Sequence, residues 1–168
     1  MTTQAMDDRQ IRLDRMRYIK NTASSRLCYL AILLNVLYFV SIYKSDVGSW
    51  YYQILVGGSI VYNLLYMLMT FLASEGVKSY QKSYSVLLIV LGILQAARVF
   101  ILPLQAHSAV MTVNGAETVV MGNAQFIRVI IYLAGSAACL IAASLINLRK
   151  AKELDGHLKS LGNGKEAA

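Results

Sequence analysis

Few side chains in this sequence could carry chemistry, and most of them lie in apolar surroundings. Arg98 and Arg128 could bind an anion, because a guanidinium offers carboxylate or phosphate a planar fork of N–H donors. Gln95 lies three residues before Arg98 and therefore shares its helical face. His107 follows near the end of the same apolar stretch. These four residues form the predicted ligand or counter-ion site.

Patterns typical of catalysis or metal binding do not occur. The long apolar stretches contain neither Asp nor Glu, and Cys28 and Cys139 are far apart, with no CxxC motif. No Walker sequence, nucleophile elbow or HExxH motif is present. His157 stands alone near the C-terminus and is expected to be solvated. We therefore predict that the protein is not an enzyme and that it uses no metal and no cofactor.

Four apolar blocks must position these residues, and their length indicates a membrane. The chain of 168 residues is 57% hydrophobic and contains a single proline. Each block approaches the roughly 20 residues that a helix needs to cross a hydrocarbon layer of about 30 Å. A soluble bundle, the alternative, would carry charges along its outer faces, whereas Arg98 is the only charge well inside a block. The predicted fold is an all-α integral membrane protein, a four-transmembrane-helix bundle with spans at about 25–43, 53–73, 84–104 and 126–148.

The basic residues predict how these spans are oriented. Thirteen of the 16 Lys and Arg residues lie in the N-terminal part up to Arg26, in the connection between the second and third spans, or in the C-terminal segment. Basic flanks stay on the cytoplasmic side, so both termini are predicted to be cytoplasmic, in a cell membrane. The net charge of +7 is therefore attributed to topology, and nucleic-acid binding is not predicted. The predicted parts are a basic cytoplasmic N-terminal segment (1–24), a membrane domain (25–148) and a cytoplasmic C-terminal helical extension and tail (149–168).

The connection between the third and fourth spans predicts a small extracytoplasmic β-hairpin over residues 109–121. Two β-branched runs flank Asn114-Gly115, and this dipeptide suits a type I′ turn because both central residues need a positive φ. The turn would pair Val113 with Ala116. Since two strands alone are marginal in water, the alternative is a mobile loop.

Three amides are expected at one depth of the membrane, and Arg98 is expected to join them. Asn35, Asn63 and Gln95 lie near the middle of the first three spans, where amides hydrogen-bond across helices. Through Gln95, Arg98 is predicted to face the bundle or a partner interface. The alternative is that its long side chain snorkels to a lipid headgroup.

Small residues mark the fourth span as a packing surface. They repeat every four residues in two parallel ladders, which let another helix approach closely. The approaching helix can belong to the same bundle or to a partner. The predicted packing or partner residues are Ala134, Gly135, Ala138, Cys139 and Ala142.

Two functions remain open from the sequence. The favoured one is an accessory or structural subunit of a membrane complex, expected to be a transport complex, because one bundle of this length leaves little room for alternating access. Its predicted partners are membrane lipid and another integral membrane protein or a second copy of the chain. The alternative is a small transporter, channel or anion-binding membrane protein with an outward-facing cavity around Arg98 and Arg128.

Overall fold

Helices make up most of the protein in a computed structural model that describes residues 8–42, 50–113 and 116–166. The connection at 43–49 and the turn residues Asn114 and Gly115 lie outside the described residues. The helical elements are α1 (Asp8–Met16), α2 (Thr22–Ile42), α3 (Trp50–Lys78), α4 (Lys82–Ala97), a 3₁₀ turn (Arg98–Phe100), α5 (Leu102–Ser108) and α6 (Asn123–Glu166).

Four helical segments are long and apolar enough to cross a membrane, and together they indicate a multi-pass membrane protein. These segments are Thr22–Ile42, Gly57–Lys78, Lys82–Ser108 and Asn123–Leu161. Their outward faces carry large apolar side chains such as Leu33, Val61 and Ile131, which are 55%, 58% and 60% exposed. Burying such side chains is worth about 1.5–3 kcal/mol each, so a lipid environment suits this surface better than water. The predicted bundle of four apolar helices is confirmed.

The four spans form a closed ring in which each packs on two neighbours. Helix α2 packs against α3 and α6, and α4 packs against the same two helices. Two buried clusters fill the interior, one around Tyr66, Leu88 and Leu140 and the other around Tyr38 and Leu133. The interior therefore combines large apolar side chains with small polar ones, while many other aliphatic side chains point outward.

A tight turn joins α3 to α4 and brings their ends together. Tyr80 has φ of 57°, and its N–H donates to the carbonyl of Val77 at 3.2 Å, while the N–H of Gln81 donates to the carbonyl of Gly76 at 3.3 Å. This pair of bonds is the Schellman arrangement that ends a helix. A Cβ added at Gly76 would overlap the ring of Tyr84, so glycine lets the two helix ends approach.

The third span is broken near its C-terminal end by the single proline of the chain. Pro103 has no N–H, and its ring would meet the carbonyl four residues earlier, that of Val99. The chain accordingly passes from α4 through the 3₁₀ turn to Ile101, with φ of −87° and ψ of −77°, before α5 begins. This break puts Arg98 at a change of helix geometry.

The connection between α5 and α6 contains two short strands, β1 (Val110–Val113) and β2 (Ala116–Val119). They pair antiparallel, with Thr112 opposite Glu117 and Val113 opposite Ala116. Because the two central turn residues are not described, the type I′ turn stays a prediction. The paired residues are a small part of an otherwise helical protein.

Helix α6 continues well past its uncharged apolar part, which ends at Leu148, and α1 packs against the extension. Nε2 of His157 lies 2.9 Å from Oδ1 of Asp14, and the side chain of His157 is only 9% exposed. The expectation that His157 is solvated is therefore wrong, because α1 covers it.

Candidate functional site

Arg98 lies inside the bundle, where it is 5% exposed. It is the first residue of the 3₁₀ turn that follows α4. The helical face that Gln95 and Arg98 share points toward α2 and α3, as the contacts of both side chains show. The side chain of Arg98 therefore points into the bundle and does not snorkel to a lipid headgroup.

The guanidinium binds oxygen atoms on two other spans. Nη1 donates to Oδ1 of Asn63 at 2.8 Å and to Oδ1 of Asn35 at 3.5 Å, and Nη2 donates to Oγ of Ser59 at 2.5 Å. Asn35 belongs to α2, whereas Asn63 and Ser59 lie one turn apart on α3. Arg98 thus ties α2 and α3 to the end of α4.

Two tyrosine rings pack on the guanidinium. The central carbon of the Arg98 guanidinium lies 4.4 Å from the ring centroid of Tyr38 and 4.7 Å from that of Tyr62. A cation over an aromatic face gains about 0.5–2 kcal/mol, more where water is excluded. We use the name Arg98 cluster for Asn35, Tyr38, Ser59, Tyr62, Asn63, Gln95 and Arg98.

The structure brings the three amides of the predicted polar layer into this cluster. Nε2 of Gln95 donates to Oδ1 of Asn35 at 2.8 Å, and Asn63 joins the pair through Arg98. Nδ2 of Asn35 and Oε1 of Gln95 are buried without a hydrogen-bond partner among the described residues. The layer therefore retains a donor and an acceptor that a water molecule can satisfy.

The other two residues of the predicted ligand site lie elsewhere. Arg128 is exposed on α6. The ring of His107 stacks on Phe126 with centroids 4.3 Å apart, and its Nδ1 lies 3.1 Å from the carbonyl oxygen of Met121. His107 therefore connects α5 to the start of α6, and the described contacts do not bring it or Arg128 to the Arg98 cluster.

A second polar cluster, which the sequence analysis missed, fastens the opposite end of the bundle. Asn147 on α6 donates to Oγ of Ser85 at 2.7 Å and to the carbonyl of Gln81 at 3.1 Å. Its Oδ1 accepts a hydrogen bond of 3.0 Å from Asn21. Ser144 donates to the carbonyl of Ser85 at 2.8 Å. Ser144 and Asn147 are three residues apart and therefore lie on one face of α6. This spacing is the sequence feature that could have predicted the cluster.

A third polar contact crosses the middle of the ring. The hydroxyls of Tyr66 on α3 and Ser136 on α6 are 2.7 Å apart, and Ser136 donates to the carbonyl of Ala31 on α2 at 2.9 Å. Such hydrogen bonds between transmembrane helices contribute on average about 0.6 kcal/mol each. The polar residues described inside the bundle thus connect its helices at three levels.

The two small-residue ladders of α6 have different surroundings. Ala134 and Ala138 are exposed, whereas Cys139 and Ala142 are half-buried. Gly135 faces α2, since a Cβ there would lie 3.2 Å from Cδ1 of Leu34. Gly135 and Cys139 therefore serve internal packing, whereas Ala134 and Ala138 lie on the outer surface.

In the part of the chain that the structure describes, no group of three or more His, Cys, Asp or Glu side chains could hold a metal ion. Comparisons with protein-family models, with curated proteins and with solved structures find no match to this chain. The functional proposal therefore rests on the contacts and the exposure of the residues described above.

Proposed function

We propose that the protein is an accessory or structural subunit of a membrane complex, and we expect a transport complex. The observation that carries this proposal is the exposed pair Ala134 and Ala138 on α6. Small side chains leave a shallow surface against which a partner helix packs at short distance. The larger exposed residues Ile131 and Leu145 flank the pair along the helix and would border the contact.

The polar interior supports a structural role rather than a transport pathway within this chain. Arg98 donates to side chains of α2 and α3, and Asn147 makes a comparable set of bonds at the other end. A small transporter or channel, the alternative function, would need a continuous polar path across the membrane. Fastening helices to one another is the simpler use of these side chains.

The proposed orientation places both termini in the cytoplasm. The N-terminal helix α1, the turn at Tyr80 and the extension of α6 lie at one end of the ring, since Tyr80 donates to the carbonyl of Ile19 and Lys82 pairs with Asp155. This end carries most of the Lys and Arg residues. Basic residues near an anionic leaflet gain about 1 kcal/mol each, which favours the cytoplasmic side and contact with its lipid.

The partner is proposed to be another integral membrane protein or a second copy of the chain, and no catalytic role is assigned. Extraction from native membranes in a mild detergent, followed by mass measurement and identification of the components, tests this. The proposal predicts a particle heavier than one copy, with a second component or an integral number of copies. A monodisperse monomer without any companion contradicts it.

A further inference from the structure

A cleft of about 420 Å³ lies on the outside of the Arg98 cluster, between α3 and the broken third span. Its volume falls in the range of about 300–1,000 Å³ that is typical of small-molecule pockets. One wall comes from α3 and the other from α4 and the residues after it. The residues that line the cleft include Gly58, Ser59, Tyr62, Leu94, Arg98 and Ile101.

The cleft opens onto the outer surface of the bundle. Gly58 is exposed, and a Cβ added there would meet nothing within 4 Å. Leu94 and Ile101 are 46% and 51% exposed. In a protein with four membrane-spanning helices, this mouth faces lipid, so hydrocarbon has direct access to the cleft.

The inner end of the cleft lies against a buried cation, while nearly all of the surface that the cleft exposes is apolar. Arg98 and Ser59 line it and are bonded to each other. Tyr62 also lines the cleft, and its hydroxyl is buried without a hydrogen-bond partner among the described residues. A ligand that fits these walls combines an alkyl chain with a negatively charged or strongly accepting head.

We propose that this cleft binds an anionic membrane lipid, with an acyl chain between α3 and α4 and the phosphate directed toward Arg98 and the hydroxyl of Tyr62. The guanidinium attracts a phosphate that carries a net negative headgroup, and it repels the quaternary ammonium of a zwitterionic one. The apolar walls favour a lipid over free phosphate. This site is independent of the proposed partner surface on α6.

The test is a titration of the detergent-solubilised full chain with phosphatidylglycerol or phosphatidylcholine of identical acyl chains, followed by thermal unfolding. Phosphatidylglycerol is expected to raise the unfolding temperature at lower concentration than phosphatidylcholine. Gly58→Phe fills the cleft without touching the hydrogen bonds of Arg98. This variant should bind phosphatidylglycerol about tenfold more weakly, equivalent to roughly one charge-assisted contact.

Gly57→Phe is the matched control, because Gly57 is also exposed with open space around it, and it should bind phosphatidylglycerol as the parent does. Equal stabilisation by the two lipids, or by inorganic phosphate alone, would overturn the proposal. Undiminished phosphatidylglycerol binding by Gly58→Phe would also overturn it. So would a Gly58→Phe variant that keeps its lipid response but loses a bound protein, since the cleft would then belong to a protein partner.

Discussion

At the scale of single residues, the environment of Arg98 explains why a cation is tolerated between apolar helices. Inserting arginine at the centre of a membrane helix costs about 2.5–3.5 kcal/mol. Hydrogen bonds between membrane helices return about 0.6 kcal/mol each on average, and cation–π contacts about 0.5–2 kcal/mol each. Arg98 makes hydrogen bonds to the oxygens of Asn63 and Ser59 and cation–π contacts with the rings of Tyr38 and Tyr62. The free energy of these contacts together is large enough to offset the cost of insertion.

Replacing Arg98 should therefore weaken the bundle. Arg98→Gln removes the donors to Asn63 and Ser59 and should lower the free energy of unfolding by about 1–3 kcal/mol. Arg98→Lys should recover part of this loss, because an ammonium keeps the charge and lacks the planar fork. Reversible unfolding in mixed detergent micelles measures both effects.

Arg128→Gln is the control, because Arg128 is exposed and its loss should change stability little. If Arg98→Leu unfolds at the same denaturant concentration as the parent, then the cluster contributes nothing to stability.

The sequence predicted part of this site and not the rest, for a physical reason. Spacing along one helix is fixed, so Gln95 and Arg98 were placed on a shared face correctly. Ser59, Tyr38 and Tyr62 were missed because their contact with Arg98 depends on how α2 and α3 rotate about their axes. That rotation follows from packing across the whole ring, which no local pattern encodes.

At the scale of elements, the close approach of α3 and α4 depends on glycine at one position. Gly76→Ala should destabilise the protein by about 1–3 kcal/mol, the usual cost of overpacking, because the new Cβ would overlap the Tyr84 ring. Comparison of unfolding midpoints with those of the parent gives the measurement.

Gly156→Ala provides a matched comparison for this change. Gly156 is exposed within α6 and has open space around it, so alanine should stabilise the helix by up to about 1 kcal/mol. Similar effects of the two substitutions would show that helix propensity, rather than contact with Tyr84, decides the result.

The lengths of the elements show what hydropathy can predict. The four apolar helices were predicted from composition, and the helix that contains the span predicted at 126–148 runs from Asn123 to Glu166, through the part predicted as a helical extension. Lys, Glu and Leu are good helix formers, so the backbone stays helical after the apolar side chains end. The break at Arg98–Phe100 was not predicted, although Pro103 was its visible cause.

At the scale of the whole molecule, the bundle has large apolar side chains outside, and it buries hydrogen-bonded polar side chains beside two apolar clusters inside. Arg98, Tyr66 and Asn147 each connect several helices at different levels. Together with the two buried apolar clusters, these hydrogen bonds give the four spans a fixed order. This arrangement suits a subunit that presents a defined surface to a partner.

The proposed orientation predicts which surface positions an impermeant thiol reagent reaches in intact cells. A cysteine at Ser108 should react from outside, whereas cysteines at Ser79 and Ser160 should not; all three native serines are exposed. The parent chain sets the background, because Cys28 is buried and Cys139 is half-buried. The opposite labelling pattern would reverse the orientation.

The central claim is that the exposed alanines of α6 form the partner surface, and one measurement tests it most directly. Ala138→Leu and Ala96→Leu add the same side chain to exposed positions of α6 and α4, so only the first should disturb the proposed contact. The mass of the particle extracted in mild detergent should fall toward that of a single chain for Ala138→Leu and stay at the parent value for Ala96→Leu. A particle of unchanged mass for Ala138→Leu would contradict the account and leave this face of α6 to lipid.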